Sequence, residues 1–226
     1  MGLVDFIFPK MCFGCRREGI YICENCLSKV KKVKPFCPVC KKASIDGLTH
    51  VRCKTPQSLD GLVSIWKYEG VIRKAILELK YKFVEEVAKE LSELCLLEVK
   101  KRITPLGRER VILVPIPLHR TRQNWRGFNQ SASVGGLVAK KMMWNFAADL
   151  LIRKHSRQSQ TELDKEDRKI NIRGVFSLNP HNSSFIIPDS IVLFDDVWTT
   201  GSTMKEACKV LRRNGAQKVW GLTICS

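Results

Sequence analysis

The chain has 226 residues, of which 44% are hydrophobic and 27% are charged, and its formal net charge at pH 7 is +17. This composition excludes disordered, collagen-like and low-complexity proteins, and the length allows one domain with an appendage or two small domains. So large a positive charge favours polyanionic partners, namely nucleic acid, phosphorylated ligands or an anionic membrane surface.

The N-terminal residues MGLVDFIFPK do not resemble a secretion signal, because they lack a basic start and a small-residue cleavage site. The longest apolar runs, such as 111–118, are well short of the roughly 20 residues that a membrane span needs. We therefore expect a cytoplasmic protein with no membrane span. Thiols stay reduced in that compartment, so clustered cysteines there bind metal more often than they form disulfides.

Seven of the ten cysteines lie between residues 12 and 53, mostly in pairs separated by two residues, and a histidine completes the fourth pair. The eight residues are Cys12, Cys15, Cys23, Cys26, Cys37, Cys40, His50 and Cys53. Two tetrahedral zinc sites need eight such ligands, and this spacing lets both members of a pair face one ion. The sequence predicts one or two structural Zn2+ ions, with sequential pairing as the simplest arrangement and interleaved pairing or unmetallated thiols as alternatives.

From about residue 60 onward, helical and strand patterns alternate. Apolar residues recur at helical spacing in 71–80, 84–99, 129–141 and 203–213, whereas 110–117, 190–196 and 218–225 are nearly continuous apolar runs. Buried strands separated by helices are typical of a parallel α/β sheet. The isolated cysteines Cys95, Cys208 and Cys225 are expected to be buried as ordinary apolar residues.

The segment IVLFDDVWTTGST, residues 191–203, carries the most specific functional signal. A buried strand ends in Asp195 and Asp196, and a loop of small and hydroxylated residues follows: Thr199, Thr200, Gly201, Ser202 and Thr203. The spacing of Thr203 and Glu206 predicts a capping box at the start of the next helix. Free backbone N–H groups at a helix start bind phosphate, and two adjacent carboxylates can accept hydrogen bonds from a vicinal diol. The pattern therefore predicts a pocket for a ribose 5-phosphate.

These thirteen residues resemble the phosphoribosyl pyrophosphate signature of type I phosphoribosyltransferases. Together with the cysteine pairs and the segments 68–81, 114–131 and 153–176, they resemble the ComF family, whose members are linked to DNA uptake in natural transformation. The resemblance implies a double zinc ribbon over residues 1–58 and a parallel-sheet, type I phosphoribosyltransferase-like α/β domain over residues 59–226. His50 stands where the family usually has a cysteine.

By resemblance, Asp195 and Asp196 would hold the ribose hydroxyls and the loop from Thr199 to Thr203 the 5-phosphate. Three arginines would lie near the diphosphate and its Mg2+: Arg120, Arg122 and Arg126. Four further residues match family positions in the segment that corresponds to a flexible loop: Arg153, Gln160, Arg168 and Asn171. Trp198 occupies a variable position, where it would pack on the neighbouring helix or border the pocket.

Basic residues are concentrated in 1–60 and in 100–130, near the aromatic residues Phe36, Trp66, Tyr68, Trp125 and Phe128. A cationic groove with aromatic platforms binds single strands without sequence readout, although the same pattern fits a core with a solvated basic face. We therefore expect a protein that binds phosphoribosyl pyrophosphate and single-stranded DNA, with other DNA-uptake proteins as partners. The alternatives are a metabolic phosphoribosyltransferase with an unidentified nucleobase-like acceptor and a zinc-dependent transcription regulator.

Overall fold

The apolar runs form the centre of a parallel sheet in the computed structural model, which describes residues 9–82, 85–102, 111–154, 174–182 and 190–226. The strands are β1 (Gly61–Trp66), β2 (Val111–Pro115), β3 (Asn145–Phe146), β4 (Leu151–Arg153), β5 (Phe176–Leu178), β6 (Ser190–Val197) and β7 (Lys218–Cys225). Five of them form one sheet in the order β1-β7-β6-β2-β3, with every neighbouring pair parallel. The remaining two, β4 and β5, form a separate antiparallel ribbon.

Six α-helices lie in the described ranges: α1 (Glu24–Leu27), α2 (Gly70–Lys82), α3 (Glu85–Arg102), α4 (Arg120–Arg126), α5 (Gln130–Met142) and α6 (Ser202–Arg213). Three short 3-10 helices accompany them: Ile45–Gly47, Val51–Cys53 and Pro180–Asn182. None of the helices in these ranges combines the length and the hydrophobicity needed to cross a membrane. The expected α/β class is confirmed, because helices connect the parallel strands.

Successive residues of the central strand β6 point to opposite faces of the sheet, which gives the sheet two cores. On one face, Val192 and Phe194 belong to the cluster that contains the apolar stripes of α2, α3 and α5. On the other face, Ile191 and Leu193 belong to the cluster that contains α6 and the β4–β5 ribbon. Both faces are covered, and this is why the strands read as continuous apolar runs.

The cysteine-rich segment packs directly on the α/β part of the chain. Its residues Cys12, Ile22 and Val30 belong to the same buried cluster as α2 and α3. The Glu90 carboxylate, on α3, accepts hydrogen bonds from the backbone N–H groups of Tyr21 and Ile22 at 3.0–3.1 Å. The metal-binding segment is therefore held to the sheet by buried apolar contacts and by charge-assisted hydrogen bonds.

Two details of the local structure differ from the expectations. Strand β1 was not predicted, although pairing with β7 buries all six of its residues. The capping box is wrong, because α6 begins at Ser202 after Gly201 and no side chain caps it. Glu206 therefore lies too far into the helix to reach its start, and its carboxylate accepts the Gly174 N–H at 2.8 Å instead.

Candidate metal centres and acidic ligand site

The first four cysteines form one cluster. The sulfur atoms of Cys12, Cys15, Cys23 and Cys26 all lie within 4.8 Å of one another. The Cys15 and Cys23 sulfurs are 3.6 Å apart, close to the edge of about 3.8 Å of a tetrahedron with Zn–S bonds of about 2.3 Å. A Cβ atom on Gly14 would lie 2.4 Å from the Cys26 sulfur, so a larger residue there would intrude on the ligands. The cluster fits a tetrahedral Zn2+ ion.

The second cluster contains the remaining three paired cysteines and the histidine. Ligand atoms of Cys37, Cys40, His50 and Cys53 also lie within 4.8 Å of one another, and His50 Nδ1 is 3.3 Å from the Cys40 sulfur. The other ring nitrogen, His50 Nε2, is 3.0 Å from the Ala43 carbonyl oxygen. Donation of the Nε2 proton to that carbonyl fixes the tautomer in which Nδ1 is free to bind metal. Histidine therefore replaces the fourth cysteine without loss of a ligand.

The same turn occurs in both clusters. The N–H groups of Arg16 and Lys41 donate to the carbonyls of Cys12 and Cys37, at 2.9 Å in both cases. Arg16 and Lys41 have matching positive φ angles of 66° and 62°. This shared turn brings together the first Cys-x2-Cys pair of each cluster, and the eight ligands assemble in the sequential arrangement.

The two acidic residues lie near the carboxyl end of β6, the middle strand of the sheet. Asp195 Oδ1 accepts hydrogen bonds from Ser131 Oγ at 3.0 Å and from the Asp196 N–H at 2.9 Å. Ser131 belongs to the first turn of α5, whose cap Asn129 accepts the N–H groups of Ser131 and Ala132. The carboxylates therefore lie at the carboxyl edge of the sheet, where parallel sheets commonly bind ligands.

A cation and an amide complete this acidic site. Lys80 Nζ, at the end of α2, lies 2.8 Å from Asp196 Oδ2, and Gln130 Nε2 donates to the same oxygen at 3.3 Å. Arg126 donates to Gln130 Oε1 at 3.2 Å. Burial alone would lower the pKa of Lys80, but the charge of Asp196, its hydrogen bond with Lys80 and the nearby Asp195 together raise that pKa, so Lys80 stays positively charged.

The five predicted phosphate-binding residues lie in the loop between β6 and α6 and in the first turn of α6. Thr200 Oγ1 lies 2.7 Å from Ser202 Oγ and accepts the Ser202 N–H at 3.3 Å. Gly201 has a φ of +75°, and a Cβ atom there would lie 2.2 Å from the Trp198 ring, so both its conformation and its contact require glycine. The first N–H groups of α6 have no partner within the helix and face this loop. The arrangement can bind an anion at the helix start.

Trp198 both packs into the core and lines the small pocket beside Asp195, Thr199 and Gly201. Its ring meets Phe36, which precedes the second zinc cluster, with centroids 6.4 Å apart and an angle of 60° between the rings. Its backbone N–H donates to the Cys225 carbonyl at 2.8 Å. The loop is therefore fixed on one side by β7 and on the other by the cysteine-rich segment.

Several predicted residues remain without a structural description. Arg120 and Arg122 belong to α4, but their side chains lie outside the described residues, as do Gln160, Arg168 and Asn171. Arg153 is at the end of β4, where its guanidinium stacks on Phe176 at 5.6 Å. Among the aromatic residues named with the basic ones, Trp66 is a core residue that is 2% exposed, whereas Trp125 is 69% exposed.

The environment of Asp195 leads to a prediction about pH. Burial, and then the charge of Asp196, raises the pKa of Asp195 from 3.8 to about 8. The unfolded chain loses this proton near pH 4, but the folded chain keeps it until about pH 8, so folded-state stability falls as pH rises across that window. A tenfold change in proton affinity is worth about 1.4 kcal/mol. Asparagine has no proton to lose, so we expect Asp195→Asn to stabilise the ligand-free protein by about 1–3 kcal/mol at pH 8. Denaturant unfolding at pH 5 and pH 8 tests this, and a difference independent of pH contradicts it.

Comparisons with known proteins agree with the metal centres and identify full-length relatives. Residues 3–54 match the double zinc ribbon domain, which, with the two ligand clusters, assigns structural Zn2+ to this segment. The DNA utilization protein YhgH of Shigella flexneri is 32% identical over 96% of this chain and 97% of its own length. Competence protein F of Haemophilus influenzae is 29% identical over 94% of this chain and 89% of its own length.

A more distant relative, competence protein ComFC of Bacillus subtilis, is 23% identical over 86% of this chain and 79% of its own length. The similarity thus extends from the cysteine clusters through the sheet to the acidic site. Because a relative of 32% identity aligns along almost the entire chain, and the zinc ribbon and the α/β sheet occur together, the chain belongs to the ComF family.

Proposed function

We propose that the protein binds phosphoribosyl pyrophosphate at the acidic site and handles single-stranded DNA during natural transformation, in the cytoplasm. The main support for this ligand is the placement of Asp195 and Asp196 near residues 199–203, at the carboxyl edge of β6. In this proposal residues 1–58 are the double zinc ribbon and residues 59–226 are a phosphoribosyltransferase-like domain.

Each part of the ligand has a matching group. The ribose hydroxyls donate to Asp195 and Asp196, and the 5-phosphate accepts N–H groups at the start of α6. The diphosphate carries Mg2+, which neutralises its charge when bound, and lies towards α4 with Arg120, Arg122 and Arg126. Lys80 already balances the charge of Asp196. This ion pair supports binding of a polar ligand at Asp196 rather than binding of a metal ion in addition to the Mg2+ on the diphosphate.

The proposed DNA partner is supported by charge and by the relatives. The net charge of +17 favours a polyanion, and both DNA utilization and competence appear in the names of full-length relatives. Calorimetry with phosphoribosyl pyrophosphate–Mg2+ and with single-stranded DNA, separately and together, tests the proposal. We expect both to bind. Turnover that releases pyrophosphate with a free nucleobase, and no affinity for DNA, would instead identify a metabolic transferase.

Salt dependence gives a second prediction for the DNA partner. When binding releases counterions, the logarithm of the affinity falls with the logarithm of the salt concentration, with a slope of about −0.7 per neutralised phosphate. The affinity for single-stranded DNA should therefore fall steeply as salt rises. Replacing Arg120, Arg122 and Arg126 together by glutamine should flatten the slope by about two units at the same factor per contact.

The matched control removes exposed charge at the other ends of two helices. Lys140 is in the last turn of α5 and Arg213 in the last turn of α6, far from the helix starts that face the site. Their replacement by glutamine removes two charges rather than three, and per charge removed it should change the slope by less than the arginine variant does. A salt-independent affinity, or equal effects of the two variants, contradicts the proposed DNA contact.

A further inference from the structure

Two exposed aromatic side chains lie in contact at the rim of the acidic site. Of the three exposed aromatic residues in the described ranges, Tyr81 is 60% exposed and Trp125 is 69% exposed. Their ring centroids are 5.9 Å apart, and the rings meet edge to face at 76°. The Arg126 guanidinium lies 5.7 Å from the centre of the Tyr81 ring. Single exposed apolar residues are common, but here two rings and a cation form one cluster.

Two chains of contacts connect this cluster to Asp196. Tyr81 directly follows Lys80, whose ammonium group is 2.8 Å from Asp196 Oδ2. Arg126 donates to Gln130 Oε1, and Gln130 in turn donates to that same Asp196 oxygen. A single side chain, Lys80 on one path and Gln130 on the other, therefore separates the aromatic cluster from the Asp196 carboxylate.

We infer that Tyr81, Trp125 and Arg126 form a stacking platform for one unpaired base of single-stranded DNA at the rim of the acidic site, an inference that rests on the proposed function. Aromatic faces and arginine planes stack on any base, which suits binding without sequence readout. A free nucleobase needs an enclosed pocket that buries most of its surface, whereas these rings are open to solvent. A polynucleotide adds phosphate contacts on the same basic surface and therefore does not need enclosure.

The test compares the full-length, zinc-loaded protein with leucine and phenylalanine variants at Tyr81 and Trp125. Leucine keeps an apolar side chain but removes the ring, so Tyr81→Leu and Trp125→Leu should each weaken binding to an oligothymidylate by about 5- to 150-fold. Tyr81→Phe and Trp125→Phe keep a ring and should lose much less. Since both side chains are exposed, thermal unfolding should be unchanged in all four variants.

An abasic oligonucleotide of the same length is the matched ligand, because it keeps the phosphates and lacks the bases. The wild type should prefer the oligothymidylate, the leucine variants should lose that preference, and the slope of affinity against salt should stay the same. Binding of phosphoribosyl pyrophosphate should also be unaffected. If the leucine variants bind oligothymidylate as tightly as the wild type, the stacking platform is overturned but the proposed DNA function is not. If the wild type has no affinity for single strands, both the platform and the proposed DNA function are overturned.

Discussion

Removal of zinc is expected to unfold residues 12–53 before the sheet unfolds. The intervening segments are short and basic, so metal binding, worth about 10–16 kcal/mol per site in comparable peptides, must supply much of their folding free energy. Protein purified without chelator should carry close to two Zn2+ ions per chain. Elemental analysis measures this stoichiometry, and hydrogen exchange after chelation should show early loss of protection in residues 12–53.

Because the ligands form two separate clusters, loss of one ligand is expected to affect one metal ion only. Cys53→Ser should remove one metal ion and leave the cluster of Cys12, Cys15, Cys23 and Cys26 occupied. The control is Cys95→Ala, because Cys95 is a fully buried thiol on α3 outside both clusters, and this variant should keep both ions. Loss of both ions in Cys53→Ser, or protein that contains no zinc, would contradict the prediction.

The double variant Asp195→Asn with Asp196→Asn is expected to weaken phosphoribosyl pyrophosphate binding by about 2–4 kcal/mol, or about 30- to 900-fold. Asparagine keeps the shape of each side chain but replaces one acceptor oxygen by a donor. Above about pH 8, where Asp195 has also lost its proton, the double variant removes both charges, and the ribose hydroxyls lose charge-assisted hydrogen bonds. Calorimetry in the presence of Mg2+ above that pH measures the affinity.

Asp46→Asn is the control for this double variant. Asp46 is an exposed residue of the second ribbon with a φ of +49°, a conformation that asparagine also adopts, and this variant should bind with wild-type affinity. Because Asp196→Asn removes the ionic partner of Lys80, thermal unfolding must be measured beside affinity. Wild-type affinity in a folded double variant would mean that the acidic pair does not hold the ribose.

Two strands in the middle of the sheet could be predicted closely from the sequence. The runs at 190–196 and 218–225 correspond to β6 and β7, because burial on both faces leaves an apolar signal at every position. Strand β1 carries Ser64 and glycine at its start, and its burial depends on pairing with a strand more than 150 positions later. The cap of α6 was misplaced because Gly201, in a left-handed conformation, ends the loop two residues before Thr203, the expected capping residue.

Zinc ligands and the acidic pair could be identified because each is local in the sequence. The groups around the pair could not, although Lys80 and Gln130 lie in segments already noted for their family resemblance. The contact between Lys80 and Asp196 joins positions 116 apart, and helical periodicity indicates only that residues near Lys80 face the core. The relative placement of α2 and β6 decides which charges meet, and that placement comes from packing over the whole sheet.

The ring contact between Phe36 and Trp198 joins the segment of the second zinc cluster to the loop after β6. Trp198 also occupies the space beside Gly201, so the ring cannot shift towards the loop without displacing it. A ligand that orders this loop should therefore raise the affinity of the second cluster for zinc, and zinc at that cluster should raise the affinity for the ligand by an equal factor.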